Sequence, residues 1–125
     1  MAQRIFQQAY HVPGTLSANL SIKFTAPFDC TLLHVSAVGS NANNGLLIIG
    51  DSSDDDEYLT SSSIGDSGTP AEFDGDNFVD TSGNTHARYY PRIADGTVVV
   101  IALDYDGAGG TATADFTLVL TFAEG

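Results

Sequence analysis

Positive charge is scarce in this chain. Arg4, Lys23, Arg88 and Arg92 are its only cations among 125 residues, against sixteen Asp and Glu, for a formal net charge of −12. A surface of that sign repels polyanions, which argues against nucleic acid and anionic membrane as partners. It suits high solubility, or docking on a basic or metal-bridged surface. Cysteine is nearly absent too: Cys30 stands alone, so no internal disulfide can form. A reactive thiol needs cationic neighbours, and Cys30 has none in sequence, so it reads as a small buried apolar residue. No apolar run is long enough to span a bilayer, and the opening M-A-Q-R-I-F-Q-Q-A-Y lacks a signal-peptide core. Synthesis in a cytoplasm is therefore expected, and the Asn19-Leu20-Ser21 sequon is read as chance. Amphipathic helical periodicity, internal repeats and low-complexity tails are also missing.

What is present is strand periodicity. Phe116, Leu118, Leu120 and Phe122 alternate with Thr117, Val119 and Thr121, the period-2 pattern of a strand with one buried face. Val98 to Leu103 is apolar on both parities, as in a strand covered on both sides. Between them, D-Y-D-G-A-G-G (104–110) supplies turn residues, and the spacing predicts a hairpin. Leu20, Ile22 and Phe24 alternate with Ser21, Lys23 and Thr25. In 30–38, Leu33, Val35 and Ala37 fall on one face and Leu32 and Val38 on the other, with the register ambiguous. Leu46 to Ile49 is again apolar on both parities.

Residues 1–14, with Phe6, Tyr10 and Val12 on one parity, read as an extended N-terminal arm or edge strand. Residues 51–87 hold ten of the sixteen acids and no Lys or Arg. They read as a long acidic loop excursion pinned by Tyr58, Leu59, Ile64, Phe73, Phe78 and Val79, with a helical turn at 70–73. Arg88 to Ile93 returns to the sheet, Pro91 favouring an edge. The fold class that follows is all-β: a single antiparallel β-sandwich domain over 1–125, of jelly-roll or Greek-key type.

The motifs are weak. Gly65-Asp66-Ser67-Gly68 copies the tetrapeptide around a protease serine, but that chemistry needs a convergent histidine, aspartate and oxyanion hole. His11, His34 and His86 have no flanks suggesting them and no metal-ligand spacing. No enzyme is expected. Asp51 to Glu57 and Asp104-Tyr105-Asp106-Gly107 are the better candidates for chemistry, because calcium takes several oxygen ligands. Asp54, Asp56, Asp104 and Asp106 are the ligands to test, although neither run fits an EF-hand; the alternative is solvated, turn-forming aspartate. Tyr89 and Tyr90 beside Arg88 and Arg92 could form a sugar platform, a subunit contact or an ordinary edge strand.

The apolar surplus carries more weight. A two-layer sandwich buries one face of each sheet, so strands greasy on both faces need further cover. That cover is the acidic excursion, the N-terminal arm or another subunit, and a symmetric homo-oligomer is expected. Phe6, Tyr10, Val12, Tyr89, Tyr90, Val98 and Val100 are the candidate interface residues.

The runs A-P-F-D-C-T-L-L-H-V-S-A-V (26–38), G-D-S-S-D-D-D-E-Y-L (50–59) and G-D-S-G-T-P-A-E-F (65–73) resemble pieces of small virion proteins of tailed bacteriophages, as do D-Y-D-G and T-L-V-L-T-F-A-E-G near the end. The resemblance implies a small all-β head decoration or cement protein, often a trimer, seated on the major capsid protein in the virion. It transfers no residue roles. Two other readings stay open: a carbohydrate-binding module or tail-fibre tip with a calcium site, and a self-assembling tube or filament subunit.

Overall fold

A computed structural model describes residues 3–125; Met1 and Ala2, the start of the expected 1–14 arm, lie outside the described residues. The strands are β1 (Ile5–Thr15), β2 (Leu20–Thr25), β3 (Cys30–Val38), β4 (Leu46–Asp51), β5 (Leu59–Ser63), β6 (Ala71–Phe73), β7 (Arg92–Ile93), β8 (Val98–Asp104) and β9 (Ala114–Glu124). They form two antiparallel sheets. One has the order β1-β9-β3-β6, with β7 also on β3; the other is β2-β8-β4-β5. The chain is an all-β sandwich, as its periodicity predicts.

The alternation works as expected at β9. Phe116, Leu118, Leu120 and Phe122 are buried, together with Leu32, Val35 and Ala37 from β3. They meet Leu47, Ile49, Val99, Ile101 and Leu103 of the facing sheet, each worth about 1.5–3 kcal/mol when fully removed from water. At the β1–β2 side an aromatic cluster closes the core. Phe122 stacks on Phe6 at 4.8 Å and meets Phe24 edge-on at 5.6 Å. Cys30 is buried among these residues, and burial, helped by nearby Asp29, pushes its thiol pKa up.

Three expectations change. β8 and β9 are not a hairpin: β8 lies between β2 and β4, β9 between β1 and β3, so Tyr105–Thr113 crosses from one sheet to the other. In β3 a register shift between Leu32 and His34 inserts one residue, so Leu32 joins Val35 and Ala37 on the buried face instead of opposing them. Within 51–87, two short strands interrupt the excursion, and Ala71–Phe73 is strand β6 where a helical turn was expected. Tyr58, Leu59, Ile64, Phe73 and Phe78 do anchor it in the core. Pro91 precedes β7, whose one strand partner is β3, in keeping with an edge position.

Candidate functional site

The two outward faces of the sandwich differ in how their apolar residues are arranged. On the β1-β9-β3 sheet apolar Ile5, Ala9, Val38 and Val119 are interleaved on the outward side with Gln7, His11, Thr117, Thr121, His34 and, on β6, Glu72. The polar side chains pair with one another: Gln7 Nε2 donates to Thr121 Oγ1 at 3.0 Å, His11 Nδ1 lies 2.8 Å from Thr117 Oγ1, and His34 lies 3.4 Å from Glu72. On the other sheet the register places Leu46 and Ile48 of β4 on the same outward side as Val98, Val100 and Ala102 of β8. All five are only half-buried. Ser21, Lys23 and Thr25 border the strip on β2, and exposed Ser61 and Ser63 lie along β5. A shallow groove of about 210 Å³ runs along it beside Leu46, Ile48, Ser61 and Ala102.

The acidic loop folds back at one end of this strip. Gly50 lies opposite Val100, and a side chain there would overlap the Asp54 carbonyl, so only glycine lets the loop pass so closely. Asp51 accepts hydrogen bonds from the Ser53 and Asp54 amides at 2.9 and 3.0 Å and from the Tyr58 hydroxyl at 3.3 Å. Burial pushes the Asp51 carboxyl up, but these bonds and one shared with Glu57 outweigh it and hold the pKa below the usual carboxylate value. Asp56 is raised through its hydrogen bond with Asp54, and Glu57 through its bond with Asp51.

Asp54, Asp55 and Asp56 bring carboxylate oxygens within 4.8 Å of one another, all exposed. Asp104 and Asp106 are elsewhere, capping the β8–β9 crossover through the Gly107 and Ala108 amides, each at 3.1 Å. Asp51 pairs with Val99 and Leu46 with Asp104, so the two acidic groups occupy opposite ends of β4, roughly 16 Å apart at strand spacing. The four aspartates taken together as calcium ligands are thus not brought into one site.

The 74–92 segment is held by Arg88, which lies 3.3 Å from Asp74 and 3.1 Å from Asp76 and donates to the Tyr90 hydroxyl at 2.9 Å. The Tyr90 ring packs against Gly75 and edge-on to Phe78 at 6.4 Å, while Tyr89 lies beside His86 with its hydroxyl 3.1 Å from Thr81 Oγ1. Both tyrosines are half-buried, with their hydroxyls engaged. Asp80, Ser82 and His86 also meet, but Ser82 and Asp80 both contact the same nitrogen, His86 Nδ1, at 3.2 and 2.7 Å. A catalytic triad needs its serine and acid on opposite ring nitrogens, so this is a loop clasp. Ser67 sits in an exposed turn at φ 50°, its amide donating to the Asn41 carbonyl.

No family model and no curated protein matches the chain. Among solved structures, a chain of the "Cyanophage Pam1 capsid asymmetric unit" aligns with a TM-score of 0.56 at 17% identity, covering 98% of this chain and 85% of that one. At that identity the likeness speaks to the fold.

The candidate interface residues divide accordingly. Phe6, Tyr10 and Val12 share the inward parity of β1 and pack on the core, so the protomer's own fold uses them. Tyr90 likewise packs on the core margin. Val98 and Val100 do lie on the outward apolar strip. Leu46, Ile48 and Ala102 complete it and were missing from the set; the two-sided apolar pattern of β4 was the signal that pointed to the first two.

Proposed function

We propose that the chain is a non-enzymatic structural protein of a bacteriophage head, a decoration or cement protein that stabilises the shell through contacts with copies of itself and with the major capsid protein. The observation that carries this is the contiguous apolar strip of Leu46, Ile48, Val98, Val100 and Ala102 on the outer face of the β2-β8-β4-β5 sheet, where the opposite face of the sandwich interleaves Ile5, Ala9, Val38 and Val119 with hydrogen-bonded polar side chains. The fold-level likeness to a chain of a cyanophage capsid asymmetric unit supports it. So does the strand order, since β1-β9-β3-β6 facing β2-β8-β4-β5 has the interleaving of a jelly roll, an architecture common among viral capsid domains. The virion is the corresponding location, with synthesis in the host cytoplasm.

The strip's size sets the mode of action. Covering on the order of 200 Å² of remaining apolar surface contributes about 5 kcal/mol, comparable to the roughly 4–15 kcal/mol that association costs. One contact is weak, and a shell that repeats it many times is stabilised. The net charge of −12 keeps decorated particles apart.

Co-sedimentation of the purified protein with undecorated shells tests the reading. Uptake should saturate at a fixed number of copies per shell, and Val100→Asp should weaken it roughly tenfold or more by placing an unpaired charge in the contact. Absence of uptake at micromolar concentration, or uptake indifferent to Val100→Asp, would sink it.

A further inference from the structure

Sheet edges offer unpaired main-chain groups, and proteins usually guard them with charge, proline, bulges or cover. Among the described residues this sandwich has four edges. The β2 edge is six residues long and carries Lys23. The β5 edge is five residues long, with its register to β4 broken between Leu47 and Ile49. The edge shared by β6 and β7 consists of three- and two-residue strands separated by the 74–91 segment. β1 differs from all of these. It runs for eleven residues, pairs with β9 alone, and from Ile5 to Val12 contains no Asp, Glu, Lys or Arg, no proline and no bulge, with His11 held against Thr117; its one register shift comes after Val12. Ile5, at 59% exposure, is the one large hydrophobic side chain exposed to that degree among the described residues.

We propose that the β1 edge, Ile5–Val12, is a self-pairing surface whose occupant is the β1 strand of a second copy, run antiparallel about a two-fold axis perpendicular to the sheet. Charge favours a second copy here. No Asp or Glu precedes Asp29, although the chain as a whole carries −12. Two copies can therefore meet along β1 without setting acid against acid. The acids nearest β1 are on β9 and are engaged: Glu124 with Arg4, Asp115 with the Gly14 amide and the Ser40 hydroxyl. A two-fold pairing also sets like against like near the axis, which uncharged Gln7, Gln8 and Ala9 tolerate and a charged residue would not. Antiparallel register about that axis keeps the inward parity of both strands (Phe6, Gln8, Tyr10) on one side, making one continuous sheet across two copies. The symmetry offered is two-fold, where the virion resemblance implied a trimer. An eight-residue edge is small beside the roughly 800 Å² per partner of a standard interface, so the pair dissociates in the high-micromolar range.

Sedimentation of the full chain from roughly 5 µM to roughly 1 mM, with amide hydrogen exchange on residues 5–12, tests this. The mass should climb towards two copies, and the β1 amides that face away from β9 should gain protection with concentration. Ala9→Glu and, separately, Gln7→Lys occupy exposed positions and should each weaken pairing at least tenfold with the melting temperature unmoved. Should one variant fail to fold, the other decides alone. A monomer at the highest concentration, a mass limit of three copies, or an oligomer indifferent to the folded variants would overturn the proposal. Shell uptake measured on the same variants separates this from the decoration role: monomers that still load onto shells defeat the pairing alone, and dimers that never load defeat the decoration reading alone.

Discussion

Thr113 is the one polar residue buried completely among the described residues, and it holds the crossover between the sheets. Its amide and its hydroxyl both donate to the Tyr105 carbonyl, at 2.8 and 2.9 Å, and its own carbonyl accepts from the Leu16 amide at 2.9 Å. Thr113→Val keeps the shape and deletes the hydroxyl. Because the Tyr105 carbonyl keeps the amide donor, and Asn43 Oδ1, 3.5 Å from the same hydroxyl, keeps the Gly45 amide at 2.9 Å, no buried acceptor is orphaned, and the cost is that of one net hydrogen bond, about 1 kcal/mol. An orphaned carbonyl would instead add a desolvation penalty of about 1–3 kcal/mol. For a domain of this size the expected fall in melting temperature is about 3–5 °C. Thr113→Ala also leaves a small void and should cost roughly twice as much. Urea unfolding followed by tyrosine fluorescence reads both, with an unchanged slope. A loss above ~3 kcal/mol for Thr113→Val, or an altered slope, would refute the claim that the shared carbonyl stays satisfied.

Three further outcomes are expected. The Asp80 carboxyl, held by the Ser82 hydroxyl and amide and by His86 despite some desolvation, has its pKa lowered to about 2. Its folded value lies below the unfolded ~3.9, so the clasp contributes stability above ~4 that is lost as pH falls through the folded value; Ser82 and His86 amide shifts should titrate near 2, and a midpoint near 4 would contradict this. Arg88→Ala should leave the global melting temperature almost unmoved while speeding proteolysis within 80–88 roughly threefold or more, because exposed ion pairs add little globally but tether this segment. Calcium at about millimolar levels should shift the amides of Asp54–Asp56 without moving Asp104 and Asp106 in step; joint saturation at one affinity would show that the two ends of β4 can cooperate after all.

The motifs that looked chemical in one dimension separate in three. The G-D-S-G serine lands in an exposed turn, and the aspartate runs cap different loops. The apolar strip was legible in part, since Val98, Val100, Leu46 and Ile48 lie in runs that are greasy on both parities. Phe6, Tyr10 and Val12 look equally available in sequence. An edge strand's inward side chains and an interface strand's outward ones carry the same period-2 signature, and nothing local distinguishes them.

Alternation along β2 and β9 was enough to predict strands, and a succession of short strands with frequent turns and no helical periodicity was enough to predict a sandwich, because a period of two dictates which side chains must leave water. It does not dictate which neighbour they meet. The nine residues from Tyr105 to Thr113 are turn-forming whether they fold β9 back beside β8 or carry it across the core, and β3's inserted residue has no local mark. Only the closing of two sheets around one set of phenylalanines and leucines decided those pairings. With them it decided which apolar face was left outside.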